Sequence, residues 1–192
     1  MLTPVSEETD KTLEVARERL KSAQANADAK QRETLAYIAE HVPEKAEAIA
    51  KRYAHDQPEL TKSIGREGVD ILRAQVAEEA GALGAAFVAA ADEIKWPLRD
   101  GSYSKVEPRM IHSAIFKRFH GKVDGIIRPI KSAGYRVDTY GSRNGVIVPQ
   151  ELYEDSWFAD LAKALTDLST AQREFQAARA TDDKSAVDGL WT

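Results

Sequence analysis

The sequence predicts a mainly α protein, either a bundle of long helices or coiled-coil-like arms, carrying a small helix–β-hairpin insertion of α+β character. Three observations predict it. Residues 7–42 lack Pro and Gly and are rich in Ala, Glu, Lys, Gln and Arg, the strong helix formers. Apolar residues recur at heptad-like spacing from Val69 to Ile94. A further periodic run follows Glu151. With 192 residues, 43% of them apolar and 30% charged, the chain is long enough to bury a core without staples.

The first helix can start from an N-cap at Ser6 or Thr9, with Glu7, Glu8 and Asp10 favourable at the positive end of its dipole. Its seam is thin at Leu13, Ala16, Leu20, Ala23 and Ala27, then thickens at Leu35, Ile38, Val42, Ile49 and Tyr53. Such an Ala-rich seam buries little area, so the early part of the helix needs something to cover it. Pro43 is expected to end or kink it and to open a second helix. The next helix is expected from about Glu59 to Ile94, with Val69, Leu72, Val76, Ala80, Leu83, Phe87, Ala90 and Ile94 as its seam. Gly81, Gly84 and their Ala neighbours allow a second helix to approach closely. Trp96-Pro97 stops this helix, and residues 99–108 read as a linker.

An amphipathic helix is then expected over residues 107–119, with Ile111, Ala114, Ile115 and Phe119 on one face. Arg109, Ser113, Phe116, Lys117 and His120 fall on the other. Arg118 lies in the apolar sector and is expected to snorkel or to pair with an acid. Gly121 should break the helix before a shorter segment with Val123, Ile126, Ile127 and Ile130, kinked at Pro129 and ended by Gly134. Residues 135–140 and 146–148 are strand-like and flank a turn containing Asn144-Gly145, a strong hairpin signal. The last helix is expected over residues 151–180, with Leu152, Leu161, Leu165, Leu168 and Phe175 as its core positions. The expected organisation is a helical arm and bundle at 1–98, a basic helix–hairpin module at 103–149, a helix returning to the bundle at 150–180 and a flexible tail at 181–192.

Charge is segregated. The formal net charge is −4, yet residues 103–149 hold 9 basic and 3 acidic side chains, while residues 1–102 and 150–192 each carry −5. A clustered field of this kind sets a local potential that the total conceals. It suits either docking on acidic surfaces of the same protein or contact with phosphates.

Catalytic chemistry has little support. The chain has no cysteine, which excludes disulfides, zinc ribbons, iron–sulfur clusters and a thiol nucleophile. His41, His55, His112 and His120 form no i, i+4 pair, and neither a phosphate-cradling glycine motif nor a serine elbow occurs. The expectation is therefore no enzyme, no cofactor and no metal. The longest weakly polar run, Ala80 to Ala91, falls short of the ~20 residues of a membrane span, and the N-terminus lacks a signal-peptide pattern, so a cytoplasmic protein without membrane contact is expected.

The leading functional expectation is a non-enzymatic interaction protein that self-associates or binds a protein partner through Leu13, Leu20, Val69, Leu72, Val76 and Leu83. The alternative is DNA or RNA binding by the 103–149 module through Arg109, Ser113, Lys117, Arg136, Arg143 and Asn144. The order of helix, second helical segment and hairpin in that module is winged-helix-like.

Overall fold

The computed structural model describes residues 4–56, 58–89, 91–94, 96, 105–132, 139–141, 147–149 and 154–188. Helix α1 spans Pro4–Asp56, α2 Pro58–Ala89, α3 Pro108–Ser132 and α4 Ala159–Asp188. Short 3-10 turns stand at Ala91–Glu93 and at Asp155–Phe158. Strands β1, Thr139–Gly141, and β2, Ile147–Pro149, pair antiparallel, with Tyr140 opposite Val148. The protein is mainly α.

The chain divides into two units. The first comprises Met1–Lys30, Trp96–Glu107 and Asp160–Thr192. Its core is Ala16 and Ala27 of α1, Trp96, Val106, and the α4 stripe of Leu161, Leu165, Leu168 and Ala171. The spacing of three and four along α4 puts these side chains on one face, as the periodicity predicts. Thr166 fastens residues 105–107 to that helix. Its Oγ1 accepts the Val106 N–H at 3.0 Å and donates to the Ala162 carbonyl at 2.8 Å. Arg19 pairs with Glu174 at 2.9 Å, an exposed contact worth at most about 1 kcal/mol.

The second unit comprises Gln31–Lys95 and Pro108–Ala159. Its core takes Leu35, Ile38, Val42, Ala46 and Ile49 from α1, then Leu72, Val76, Ala80, Leu83 and Phe87 from α2. Helix α3 adds Ile111, Ile115, Phe119 and Ile126, and Phe158 completes it. Phe87 and Phe119 meet edge to face with ring centroids 4.6 Å apart, the arrangement that the aromatic quadrupole favours.

Several boundaries differ from the sequence reading. Pro43 does not end the first helix, because α1 runs through it. The buried stripe continues on both sides, from Leu35, Ile38 and Val42 to Ala46, Ile49 and Ala50. Burial of that stripe outweighs the ~3 kcal/mol cost of an interior proline. Pro43 cannot supply the N–H that the Ala39 carbonyl would accept in a regular helix, and Gly84 of α2 lies against Ala39 at that position.

Helix α3 likewise continues through Gly121 and Pro129 to Ser132, where the sequence suggested two pieces. Buried Ile126 extends the stripe of Ile111, Ile115 and Phe119, and Pro129 falls in the last turns, where little of the hydrogen-bond ladder remains to be lost. In α2 the regular backbone is broken at Gly65, with φ 69° and ψ 176°. That region is essentially restricted to glycine. Helix α4 passes through Thr181-Asp182-Asp183-Lys184 to Asp188, so the expected tail is helical over 181–188. None of these residues is a strong breaker, and Thr181 bonds back to the Ala177 carbonyl at 3.0 Å. Leu152, Gly134 and Trp191 lie outside the described residues.

Candidate interaction groove

Helix α2 carries two neighbouring stripes. Leu72, Val76, Ala80 and Leu83 point into the core, while Gly68, Ile71, Gln75 and Glu78 follow at i, i+3, i+7 and i+10 along its edge. That edge stripe faces the last turns of α3 across an open groove of about 640 Å³. Ile64, Ile71 and Leu72 form one wall, Pro129 and Gly125 the other, and Glu78, Glu79 and Arg128 supply the charges. The volume lies in the range of ordinary binding clefts. From Gly68 to Glu79 the α2 wall is about 17 Å long at the α-helical rise.

Local backbone chemistry shapes this groove. The break at Gly65 turns Ile64 back onto Gly68, where a Cβ would stand 2.8 Å from the Ile64 Cβ. Gly68 therefore has to be glycine for the Ile64 side chain to occupy that end. On the opposite wall the Glu79 carboxylate lies over Gly125, 2.8 Å from where a Cβ would be.

Ile71, which lines the groove, is 53% exposed. Glu78, Glu79 and Arg128 are exposed, and none of them forms an ion pair among the described residues. Elsewhere in this unit Glu47 pairs with Arg73, Glu93 with Arg118 and Glu154 with Lys45.

The residues singled out by sequence are placed as follows. Arg109 and Ser113 are exposed one turn apart on α3. Lys117 is one turn further along α3, and its side chain lies outside the described residues, as do Arg136, Arg143 and Asn144 altogether. Arg118 pairs with Glu93 and lies 5.7 Å from the Phe119 ring, the acid partner expected for a cation in an apolar sector. Of the expected association residues, Leu13, Leu20 and Val69 are half-buried. Leu72, Val76 and Leu83 are 5%, 0% and 1% exposed. Those three serve the protein's own core, because the α2 seam is covered by its own chain. Ile71 and Arg128 escaped the sequence reading, since nothing along the chain shows that α3 ends beside α2.

A second cluster closes on itself. His41 stacks on Tyr37 at 3.8 Å, its Nδ1 2.9 Å from the Tyr37 carbonyl oxygen, and Trp157 meets Tyr37 edge-on at 5.6 Å. Lys45 beside Glu154 holds that carboxyl below its usual range. These contacts fasten residues 154–158 to α1.

Half-buried His112 lies 6.0 Å from the Phe158 ring. Burial pushes its pKa down to about 4, against a smaller upward pull from Asp155. The imidazole is thus neutral at pH 7. Between pH 6.5 and 4 the unfolded chain binds a proton that the folded chain refuses, so this contribution to stability is complete above 6.5 and lost as pH falls through the window. The melting midpoint of the wild type should therefore fall more steeply between pH 7 and 4 than that of His112→Gln. Parallel pH profiles of the two proteins would refute this.

Among the described residues, no group of three or more His, Asp or Glu is placed to hold a metal ion, and no helix is long and apolar enough to cross a membrane. Comparison of the chain with protein-family models, curated proteins and solved structures finds no match.

Proposed function

We propose that this is a helical interaction protein that docks a protein at the groove between α2 and the end of α3. The observation that carries the reading is Ile71, a large apolar side chain 53% exposed on a concave surface that it lines with Ile64, Leu72 and Pro129. An apolar centre with a charged rim is the anatomy of a protein-docking site. Helices that present anchors at three- and four-residue spacing fit such grooves.

A photoreactive residue placed at Ile71 should give covalent protein adducts in cells. The same residue at Val88, equally exposed on α2 but outside the groove, should give none. Equal yields at both positions, or adducts with nucleic acid alone, overturn the reading.

The alternative, a nucleic-acid surface, draws on exposed Arg109 and Ser113 on successive turns of α3. One feature weighs against its winged-helix form: a helix–turn–helix needs a turn near Gly121, where α3 is continuous. If the alternative is right, binding to duplex DNA falls steeply with salt and Arg109→Glu flattens that dependence.

A further inference from the structure

We propose that the first turns of α2, Pro58–Ile64, are a lid on the groove, hinged at Gly65. The proposal rests on the reading of the groove as a protein-docking surface and adds how access to it is set. Three observations carry it. The break at Gly65, φ 69° and ψ 176°, is a backbone state that glycine enters and leaves without steric cost, and a Cβ there would meet nothing within 4 Å. The segment before the hinge is not anchored in the core. None of its described side chains is buried, and Lys62 pairs with Glu59 inside the segment itself. Ile64 nevertheless keeps the register of the groove wall. Ile64, Gly68, Ile71, Gln75 and Glu78 follow at i, i+4, i+7, i+11 and i+14, one stripe of a straight helix.

The same residues therefore have two arrangements. In the kinked one, which the structure shows, Ile64 folds onto Gly68 and shuts that end of the groove. A Cβ at Gly68 would stand 2.8 Å from the Ile64 Cβ, where Cβ atoms four residues apart on a straight helix are ~5–6 Å apart. In the straight one Gly65 is helical, Gly68 is uncovered and Ile64 becomes a further anchor one turn beyond it. The α2 wall then runs from Ile64 to Glu79, about 22 Å instead of about 17 Å. The kink gives up helical hydrogen bonds and gains the Ile64 contact, and a partner long enough to reach Ile64 selects the straight form.

Two substitutions bias the hinge in opposite directions. Gly65→Ala excludes the glycine-only backbone state and leaves the straight helix. Arg66→Pro stands at the first position of the helix that resumes after the break, where proline is tolerated, and it disfavours helical backbone at Gly65. Gly68→Ala, whose Cβ would strike that of Ile64, should act as Gly65→Ala does, and Arg66→Ala controls for the lost charge. The chain has no cysteine, so nitroxide labels on Glu59→Cys and Ala74→Cys, both exposed positions, report the hinge directly. Gly65→Ala should show the straight-helix separation of about 22 Å between these positions, and Arg66→Pro a shorter one. Photo-adducts at Ile71 should rise several-fold in Gly65→Ala and fall several-fold in Arg66→Pro, with the wild type and Arg66→Ala between them. Circular dichroism checks that every variant remains helical.

A label separation that Gly65→Ala and Gly68→Ala both leave at the wild-type value overturns the lid. So do equal adduct yields across the variants, or a wild-type yield no higher than that of Arg66→Pro. Adducts at Ile71 in those cases leave the docking reading standing. If no form of the protein gives adducts at Ile71, both fall.

Discussion

Val76→Asp is expected to unfold the second unit, while Ile71→Asp on the same helix leaves it folded. Val76 is 0% exposed within the α2 seam, between Leu72 and Ala80. The aspartate forfeits roughly 1.5–3 kcal/mol of apolar burial, and it must also hold a carboxylate away from water. The cation nearest in sequence, Arg73, already pairs with Glu47 and Asp70. The combined cost is roughly 4–5 kcal/mol or more, a large share of the stability of an ordinary domain. Ile71, 53% exposed in the groove, should lie within about 0.5 kcal/mol of the wild type. Thermal melts followed by circular dichroism separate the two. A cooperative, wild-type-like melt for Val76→Asp would mean that the α2 seam does not face the core.

That contrast also marks what a sequence can and cannot disclose. The period of three and four along Leu72, Val76, Ala80, Leu83 and Phe87 identifies a buried stripe, and all five are buried. The period says that something covers the stripe, but not whether the cover is another segment of the chain or another molecule. Leu72, Val76 and Leu83, expected as a docking seam, are buried in the core that α1 and α3 share with α2. The apolar face of α3 at Ile111, Ile115 and Phe119 was legible for the same reason of period.

Pro43, Pro129 and Gly65 show how local backbone preference and distant burial compete. Pro43 and Pro129 both sit inside continuous helices, because local cost competes with burial of residues several turns away. A window of sequence contains only the first of these terms. Gly65 adopts a positive φ, a local feature of glycine with no apolar period to announce it, and the turn it makes brings Ile64 onto Gly68. The groove is a meeting of the edge of α2 with the end of α3. Its α2 residues keep the helical period, but no pattern along the chain ties them to the end of α3, so only the folded arrangement collects Ile71, Glu79 and Arg128 in one place.

Gly81→Ala and Gly84→Ala should move stability in opposite directions, although both replace an interior glycine of α2. Alanine gains up to about 1 kcal/mol over glycine in a helix, chiefly by narrowing the unfolded ensemble. At Gly81 an added Cβ meets nothing within 4 Å, so the gain should be realised. At Gly84 the Cβ would stand 2.8 Å from the Ala39 Cα and 2.9 Å from its carbonyl oxygen. Both neighbours are backbone atoms of α1, and no rotamer change can move them. Carbon atoms settle at about 3.5–4.0 Å, so α1 and α2 must separate, loosening Leu35, Ile38 and Leu83 around the contact. Overpacking of this kind costs typically 1–3 kcal/mol, which exceeds the propensity gain. Gly84→Ala should therefore melt several degrees below the wild type, and Gly81→Ala a few degrees above it. The double variant should fall between them, because the two effects arise from separate sources. If Gly84→Ala stabilised the protein as much as Gly81→Ala, α2 would not rest on Ala39, and the account of how α1 carries Pro43 through the core would fail with it.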